Sequence, residues 1–297
     1  FGSSHFGSRR AQAHRLPFVS LARLYIMFHG RMLMCGQQFR TSNLAPLFPV
    51  LAGFVTLALT EITRIMAVRA GHCTVLLGHA NATEQVTIRI PEVSPATRLS
   101  PERWVWTFGI TAAWFTLWLP SLLLVCEMLR QRIGGGESLL MRATLTLSLL
   151  CFLGEAIVPL QANIFEADAE LTLQSQVHLA FAGMMFQCML LHGMLVIRSQ
   201  WWLPASKRSF SAISLYIKVA IPLGGPSFLW LFAGTIACWP DSCDTQQSMR
   251  NLGGVCQRCM IVCICLFCAT YALDIKVAPA ARGAASRGDL EMSAHLL

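Results

Sequence analysis

Glu155 and the two histidines that follow it, His178 and His192, are the side chains of this chain whose type and spacing most suggest chemistry. Glu155 lies inside one apolar stretch, and both histidines lie in the next. An ionisable group inside hydrocarbon is costly unless it is paired or hydrated, so Glu155 is by default a hypothesis for a functional site. The two histidines share a helical face within about 40°, but they stand about 21 Å apart along the axis and do not bind one metal ion. We expect no metal or other cofactor. Two interpretations of Glu155 and His178 stay open, a proton or lipid-headgroup site and a hydrogen bond between two helices.

The stretches that carry these residues are long enough to cross a bilayer. Residues 171–197 hold no formally charged side chain, and residues 138–160 are similarly apolar, with Arg142 near one end. A helix of roughly 20 apolar residues spans the hydrocarbon core. The whole chain is 55% hydrophobic and 13% charged, with a mean hydropathy of +0.54, whereas soluble domains carry about 25% charged residues. The composition predicts an all-α polytopic membrane protein.

The apolar runs predict a bundle of six transmembrane helices, over residues 44–66, 104–126, 138–160, 171–197, 211–236 and 254–273. We expect a basic, flexible segment over residues 1–43, a membrane domain over 44–274 and a disordered tail over 275–297. Two prolines flanking a glycine pair, Pro222 to Pro226, predict a kink or an interruption in the fifth helix. This break is typical of a substrate site in some transporters or of a packing kink between neighbouring helices.

The distribution of basic residues predicts cytosolic termini. Ten basic residues near the membrane lie on the side of the termini and five on the other, and cytosolic loops carry the excess. The ten are Arg31, Arg40, Arg130, Arg132, Arg198, Lys207, Arg208, Lys276, Arg282 and Arg287, and the five are Arg69, Arg89, Arg98, Arg103 and Arg250. The same orientation places Asn81, in the glycosylation motif Asn81-Ala82-Thr83, outside the cytosol.

The twelve cysteines fall mostly inside predicted spans, where a thiol packs as a small apolar group. Cys73, Cys238 and Cys243 lie in loops on the predicted outer side, and we expect a disulfide among them whose pairing the sequence leaves open. Five more cysteines lie in or near the last span. We favour packing as their role over palmitoylation or redox function. They are Cys256, Cys259, Cys263, Cys265 and Cys268.

Several function classes are disfavoured by the sequence. The net charge is +8, but the arginines lie mostly at the ends of apolar runs, which indicates membrane topology and not a nucleic-acid surface. The chain has no Ser-His-Asp elbow, nucleotide-binding loop or paired carboxylates at a fixed spacing. A non-enzymatic protein is therefore the favoured interpretation.

Two short segments resemble a known family. The segment Asn163-Ile164-Phe165 leads through a loop to Val177-His178-Leu179 and then to Ala182-Gly183 and Phe186. This order is similar to the Asn-x-Phe, loop, His, small residue, Phe pattern of the DRAM/Frag/Sfk family of six-span membrane proteins. The segment Pro101-Glu102-Arg103-Trp104-Val105-Trp106 resembles the entry to the second span in the family's branch of post-GPI-attachment factors.

The resemblance implies six spans, cytosolic termini and residence in the Golgi, endoplasmic reticulum, lysosome or plasma membrane. It implies a role in GPI-anchor lipid remodelling, membrane lipid organisation or autophagy, with membrane lipids and GPI-anchored proteins as partners. It supplies no catalytic residue, so Glu155, Asn163 and His178 are predicted to be structural or lipid-site positions.

Two other function classes remain as alternatives. One is a proton-coupled transporter that uses Glu155, His178 and the broken fifth helix, and the other is an integral-membrane lipid-modifying enzyme. A water-accessible cavity near the bilayer midplane would favour the transporter, and tight packing around Glu155 would favour a scaffold.

Overall fold

Long helices account for most of the residues that the computed structural model describes. These are residues 44–79, 82–133, 135–161, 172–204, 208–221 and 243–276, of which 75–79, 82–84 and 243–245 are described by their backbone alone. The elements in chain order are α1 (Leu47–Arg69), β1 (Thr74–His79), β2 (Ala82–Thr87), α2 (Val93–Ala96), α3 (Glu102–Ala113), a π-helical turn (Trp114–Trp118), α4 (Leu119–Arg132), α5 (Gly135–Ile157), α6 (Leu173–Trp201), α7 (Ala212–Ala220), α8 (Cys243–Ala269) and α9 (Tyr271–Lys276).

Five helical stretches among the described residues are long and apolar enough to cross a bilayer. They are Leu47–Arg69, Glu102–Arg132, Gly135–Ile157, Leu173–Trp201 and Gln246–Ile275. The all-α polytopic class is therefore confirmed. The sixth crossing stays a prediction, because α7 covers only the start of that span and residues 222–242, with the Pro222–Pro226 segment, lie outside the described residues. The predicted N-terminal segment 1–43 and the tail from residue 277 also lie outside them.

The first polar loop contains a β-hairpin that we did not predict. Strands β1 and β2 pair antiparallel, in a register that runs from Thr74 opposite Thr87 to His79 opposite Ala82. Threonine and valine favour such extended ladders, and the Thr74 and Thr87 hydroxyls lie 3.1 Å apart across this one. We call the end of the helix bundle that carries this loop the hairpin end.

The last span begins earlier and ends later than predicted. The expected limits were residues 254–273, but α8 begins at Cys243 and α9 continues to Lys276, past the predicted domain boundary. The predicted N-terminal limit of this span, residue 254, was wrong because the prediction followed hydrophobicity alone. Gln247, Asn251, Gly254 and Arg258 recur on one helical face, where they contact the backbone of the first loop.

Tryptophan side chains connect the helices in the bundle core. The π-helical turn buries both Trp114 and Trp118. The Trp114 indole N–H donates to the Leu149 carbonyl oxygen of α5 at 2.8 Å, and the Trp118 N–H donates to the Thr56 hydroxyl of α1 at 3.0 Å. A buried indole needs such an acceptor, so these bonds set how α1, α5 and the π-helical turn approach one another.

Candidate functional site

Helices α5 and α6 approach closely near Glu155 because Gly154 has no side chain. A Cβ atom at position 154 would lie 2.9 Å from the Phe181 ring of α6. His178 lies three residues before Phe181, on the same face of α6. The close approach brings Glu155 Oε1 to 3.6 Å from His178 Nε2.

The structure therefore places together two of the three predicted site residues. Glu155 is 6% exposed and His178 is 2% exposed. His178 Nδ1 lies 2.6 Å from the Val158 carbonyl oxygen. A carbonyl only accepts, so Nδ1 carries the hydrogen and Nε2 faces the carboxyl group. Asn163, the third predicted residue, lies outside the described residues.

The pair lies near the hairpin end of the bundle and not deep in the span as expected. Helix α5 ends at Ile157, three residues before the predicted end, so Glu155 is in its last turn. It stands about 13 Å along the axis from the middle of α5. His178 lies in the second turn of α6, so both residues are at the same end.

A buried turn of the first loop covers the pair. All four residues of α2, Val93 to Ala96, are buried. The Ser94 hydroxyl donates to Glu155 Oε1 at 3.4 Å. The backbone N–H of Val93 donates to Gln257 Oε1 of α8 at 2.6 Å, so the last span holds this turn in place.

A cavity of about 50 Å³ begins beside Glu155 and extends toward the middle of the bundle. This is room for about three waters. At the hairpin end its lining includes Ser94, Glu155 and the indole of Trp106. The Trp106 N–H lies beside the carboxyl group, yet it makes no hydrogen bond of normal length, and the same is true of His178 Nε2.

The deeper lining of the cavity is apolar or has its polar groups satisfied. The Ser148 hydroxyl donates to the Met185 carbonyl oxygen at 2.8 Å, and the Thr56 hydroxyl donates to the Ala52 carbonyl oxygen at 2.9 Å. The apolar residues of this part are Leu149, Phe152, Met185, Phe186, Met189, Ile261 and Ile264. Unsatisfied polar atoms are costly when buried, and here they concentrate at one end of an otherwise apolar cavity.

The contacts of Glu155 differ from those of a serine–histidine–carboxylate triad. A nucleophilic serine needs a base within hydrogen-bonding reach. Within the described part of the chain, Ser94 and His178 each contact Glu155, and no hydrogen bond joins the two. The three side chains are thus not arranged as a serine–histidine–carboxylate triad, in which the histidine contacts the serine.

The predicted disulfide and glycosylation sites lie largely outside the described residues. Cys73 is a buried, free thiol in the structure, whereas Cys238 and the side chain of Cys243 are not described. The disulfide therefore stays a prediction. Asn81 also lies outside the described residues.

We expect Cys73 to react very slowly with alkylating reagents in the folded protein. Burial, with a smaller effect of the negative Glu102, raises the pKa of its thiol to about 11. Only the thiolate reacts, so at pH 8 iodoacetamide should modify Cys73 about a hundredfold more slowly than an exposed cysteine of ordinary pKa. The rate should rise about tenfold per pH unit until the pH nears this value. Mass spectrometry of the Cys73 peptide in protein whose Cys73 is reduced measures the rate, and rapid alkylation at pH 7 would contradict the prediction.

Three of the five cysteines in the last span are buried, as the packing interpretation requires. Cys256, Cys265 and Cys268 are buried, Cys263 is half-buried and Cys259 is exposed. Among the residues that the structure describes, no group of three or more His, Cys, Asp or Glu side chains is placed to hold a metal ion.

His192 belongs to a separate polar cluster at the opposite end of the bundle. Its Nδ1 donates to the Met141 carbonyl oxygen at 2.9 Å, and in the neutral ring Nε2 then accepts from the Tyr271 hydroxyl at 2.7 Å. These contacts join α5, α6 and α9. His192 is thus a structural hydrogen-bonding residue.

The same end contains a fully buried ion pair. Lys218 Nζ lies 2.7 Å from Asp274 Oδ2, and both side chains are 0% exposed. The Ser214 hydroxyl accepts from Lys218 and donates to Asp274. Three aromatic rings surround the ammonium group, with Tyr271 nearest at 4.2 Å from its centroid and Phe210 and Phe267 beyond it.

Sequence reasoning missed several residues of these two clusters. Ser94 and Trp106 reach the site only through the fold of the first loop and the rotation of α3. Arg258 and Gln257 carried a usable signal, since a charged residue beside an amide within an apolar run marks a polar contact. Asp274 was predicted only as the last residue of the membrane domain. Its pairing with Lys218 was missed because the two residues are 56 positions apart in the sequence.

One comparison with known proteins gives a match. The family profile described as Frag1/DRAM/Sfk1/Cwh43P N-terminal domain matches residues 45–278. No curated protein matches the chain, and no solved structure matches it. The matched residues include both polar clusters and the whole described part of the chain except Leu44.

Proposed function

The chain belongs to the Frag1/DRAM/Sfk1/Cwh43P family, and we propose that it is a non-enzymatic membrane protein that binds lipid during GPI-anchor lipid remodelling. The observation that carries the proposal is the buried Glu155–His178 pair at the polar end of an apolar cavity. Such a cavity suits a molecule with a small polar end and a hydrocarbon body.

The position of the pair supports lipid binding over proton-coupled transport. Transporter sites lie near the bilayer midplane, between discontinuous helices. Glu155 lies in the last turn of α5, and the described part of α5 and α6 is continuous helix around it. With Glu155 about 13 Å from the middle of α5, the polar groups would lie near the edge of a hydrocarbon core whose half-thickness is about 15 Å.

The proposal includes an endomembrane or plasma-membrane location with cytosolic termini. The excess of basic residues on the side of the termini supports this orientation. In it, the hairpin end faces the lumen or the exterior, which is where GPI-anchored proteins reside. The partners we propose are membrane lipids and GPI-anchored proteins.

Deletion of the gene followed by rescue tests this function. We expect deletion to lower the amount of GPI-anchored protein at the cell surface or to change the fatty acids of the anchors. The native chain should restore both, whereas Glu155→Ala and His178→Ala should not, although they reach the membrane in normal amounts. Flow cytometry and mass spectrometry of released anchors measure the two quantities.

Glu137→Ala is the matched control, because it removes an exposed carboxylate at the other end of the same helix. It should rescue fully. If deletion changes neither the amount of GPI-anchored protein at the cell surface nor the fatty acids of the anchors, the proposed function is wrong. Full rescue by Glu155→Ala and His178→Ala would remove the assignment of the site.

A further inference from the structure

The charges around the cavity determine which lipid it would accept, given the lipid-binding function proposed above. Its lining includes one ionisable carboxyl group, Glu155, and among the described lining residues none is Lys or Arg. The guanidinium nearest in sequence to the lining, that of Arg258, contacts Glu61 of α1 at 2.9 Å instead. Recognition of phosphate generally uses Arg or Lys, and a phosphate beside Glu155 would meet a carboxyl group.

The free hydrogen-bonding capacity of the site suits a hydroxyl group. Among the described residues, Glu155 has long contacts to Ser94 at 3.4 Å and to His178 at 3.6 Å, and the buried Trp106 N–H lies beside its carboxyl group without a hydrogen bond of normal length. A hydroxyl both donates and accepts. Placed between the indole and the carboxyl group, it would satisfy both.

The size of the cavity limits the polar end of the ligand. A cavity of about 50 Å³ has room beside Glu155 for a small polar group such as the hydroxymethyl end of a glycerolipid. The apolar lining below it, from Phe152 and Met185 to Ile264, suits hydrocarbon. The lining of the cavity thus changes from polar to apolar in the same order as the groups of an uncharged lipid alcohol, from its hydroxyl end to its hydrocarbon chains.

We infer that the cavity binds the hydroxyl end of an uncharged lipid of the diacylglycerol type, and that it rejects anionic phosphate headgroups. The hydroxyl donates to Glu155 and accepts from Trp106. The glycerol backbone then lies against the buried turn α2, and the first carbons of the acyl chains lie against the apolar lining, while the rest of each chain extends outside the cavity into the bilayer.

Competition between two lipids that differ only in this group tests the inference. The purified full chain in detergent micelles is incubated with tritiated dioleoylglycerol, and unlabelled dioleoylglycerol or dioleoylphosphatidic acid is added. We expect saturable binding, with phosphatidic acid competing at least about tenfold less well, because one buried charge conflict exceeds the 1.4 kcal/mol that corresponds to tenfold. Glu155→Gln removes the charge and keeps an acceptor. In this variant phosphatidic acid should therefore compete more nearly as well as dioleoylglycerol does.

Trp106→Phe removes only the indole donor and should weaken binding of dioleoylglycerol about fivefold. Trp104→Phe is the matched control, because Trp104 lies two residues away on the same helix and is 49% exposed. It should bind as the native chain does.

The outcomes separate this inference from the proposed function. Equal or better competition by phosphatidic acid, or unchanged binding in Trp106→Phe, overturns the ligand class while leaving lipid binding in place. Absence of saturable dioleoylglycerol binding overturns the ligand class as well. The rescue assay of anchor lipids judges the proposed function independently.

Discussion

Replacing Gly254 with alanine should destabilise the protein by about 3 kcal/mol or more. A Cβ atom at this position would lie 1.8 Å from the Ile90 carbonyl oxygen and 2.8 Å from its carbonyl carbon. These are backbone atoms, so no side-chain rotation relieves the overlap. Helix α8 and the first loop must separate.

Separation would break the hydrogen bonds that hold the loop to the last span. The Ile90 N–H donates to Asn251 Oδ1 at 2.8 Å, the Val93 N–H donates to Gln257 Oε1 at 2.6 Å, and Arg258 donates to the Pro91 carbonyl oxygen. Each buried group left without a partner costs about 1–3 kcal/mol. We expect Gly254→Ala to lower the thermal unfolding midpoint in detergent and to expose residues 70–101 to proteases.

Gly253→Ala is the control for the first prediction. Gly253 is also buried, but the nearest atom to its added Cβ is the Glu92 carboxylate oxygen at 3.2 Å, at the end of a flexible side chain. This variant should stay within about 1 kcal/mol of the native stability. If the two alanine variants unfold at the same temperature, the contact between α8 and the Ile90 backbone is not what holds the loop.

Replacing Lys218 with methionine should cost about 3–5 kcal/mol of stability. The change leaves the Asp274 carboxylate buried without its cation. Asp274 keeps hydrogen bonds from the Ser211 N–H at 3.1 Å and the Ser214 hydroxyl at 2.7 Å, but neither neutralises its charge. Chemical denaturation of the purified protein, followed by tryptophan fluorescence, measures the loss.

A double variant separates the effect of charge from the effect of packing. Asp274→Asn removes the second charge and keeps an oxygen that accepts from the Ser211 N–H. Lys218→Met combined with Asp274→Asn should be more stable than Lys218→Met alone, because no uncompensated charge remains buried. Additive losses from the two single substitutions would show that the ion pair does not stabilise this end of the bundle.

The two polar clusters have different relations to the proposed function. The Lys218–Asp274 pair is satisfied by hydrogen bonds and by three aromatic rings, and it joins α7 to α9. The described contacts of the Glu155 cluster are long, and beside its cavity the Trp106 N–H makes no hydrogen bond of normal length. We therefore interpret the first as a structural contact and propose the second as the lipid site. We therefore expect Gly254→Ala to impair lipid binding, since α8 holds the turn that covers Glu155.

The membrane class and five of the spans could be read from the sequence because they depend on hydrophobicity over some 20 residues, which is a local property. The pairing of Glu155 with His178 was also within reach. A helix hairpin with a short connection places the last turn of one helix beside the first turns of the next, and a buried ionisable group needs a partner. The family resemblance, carried by about 25 residues, agreed with the match over residues 45–278.

The tertiary structure alone decided which distant residues complete each site. Ser94 reaches Glu155 across 61 residues of sequence, Gln257 reaches Val93 across 164, and Asp274 reaches Lys218 across 56. Periodicity and composition carry no information about such pairs, because the energy of a buried polar contact depends on how the helices rotate and how far the loop enters the bundle. The sequence by itself determined that this chain crosses lipid and must pair its few buried polar groups. The packing of the first loop against the last span determined where those groups meet and what small space they leave between them.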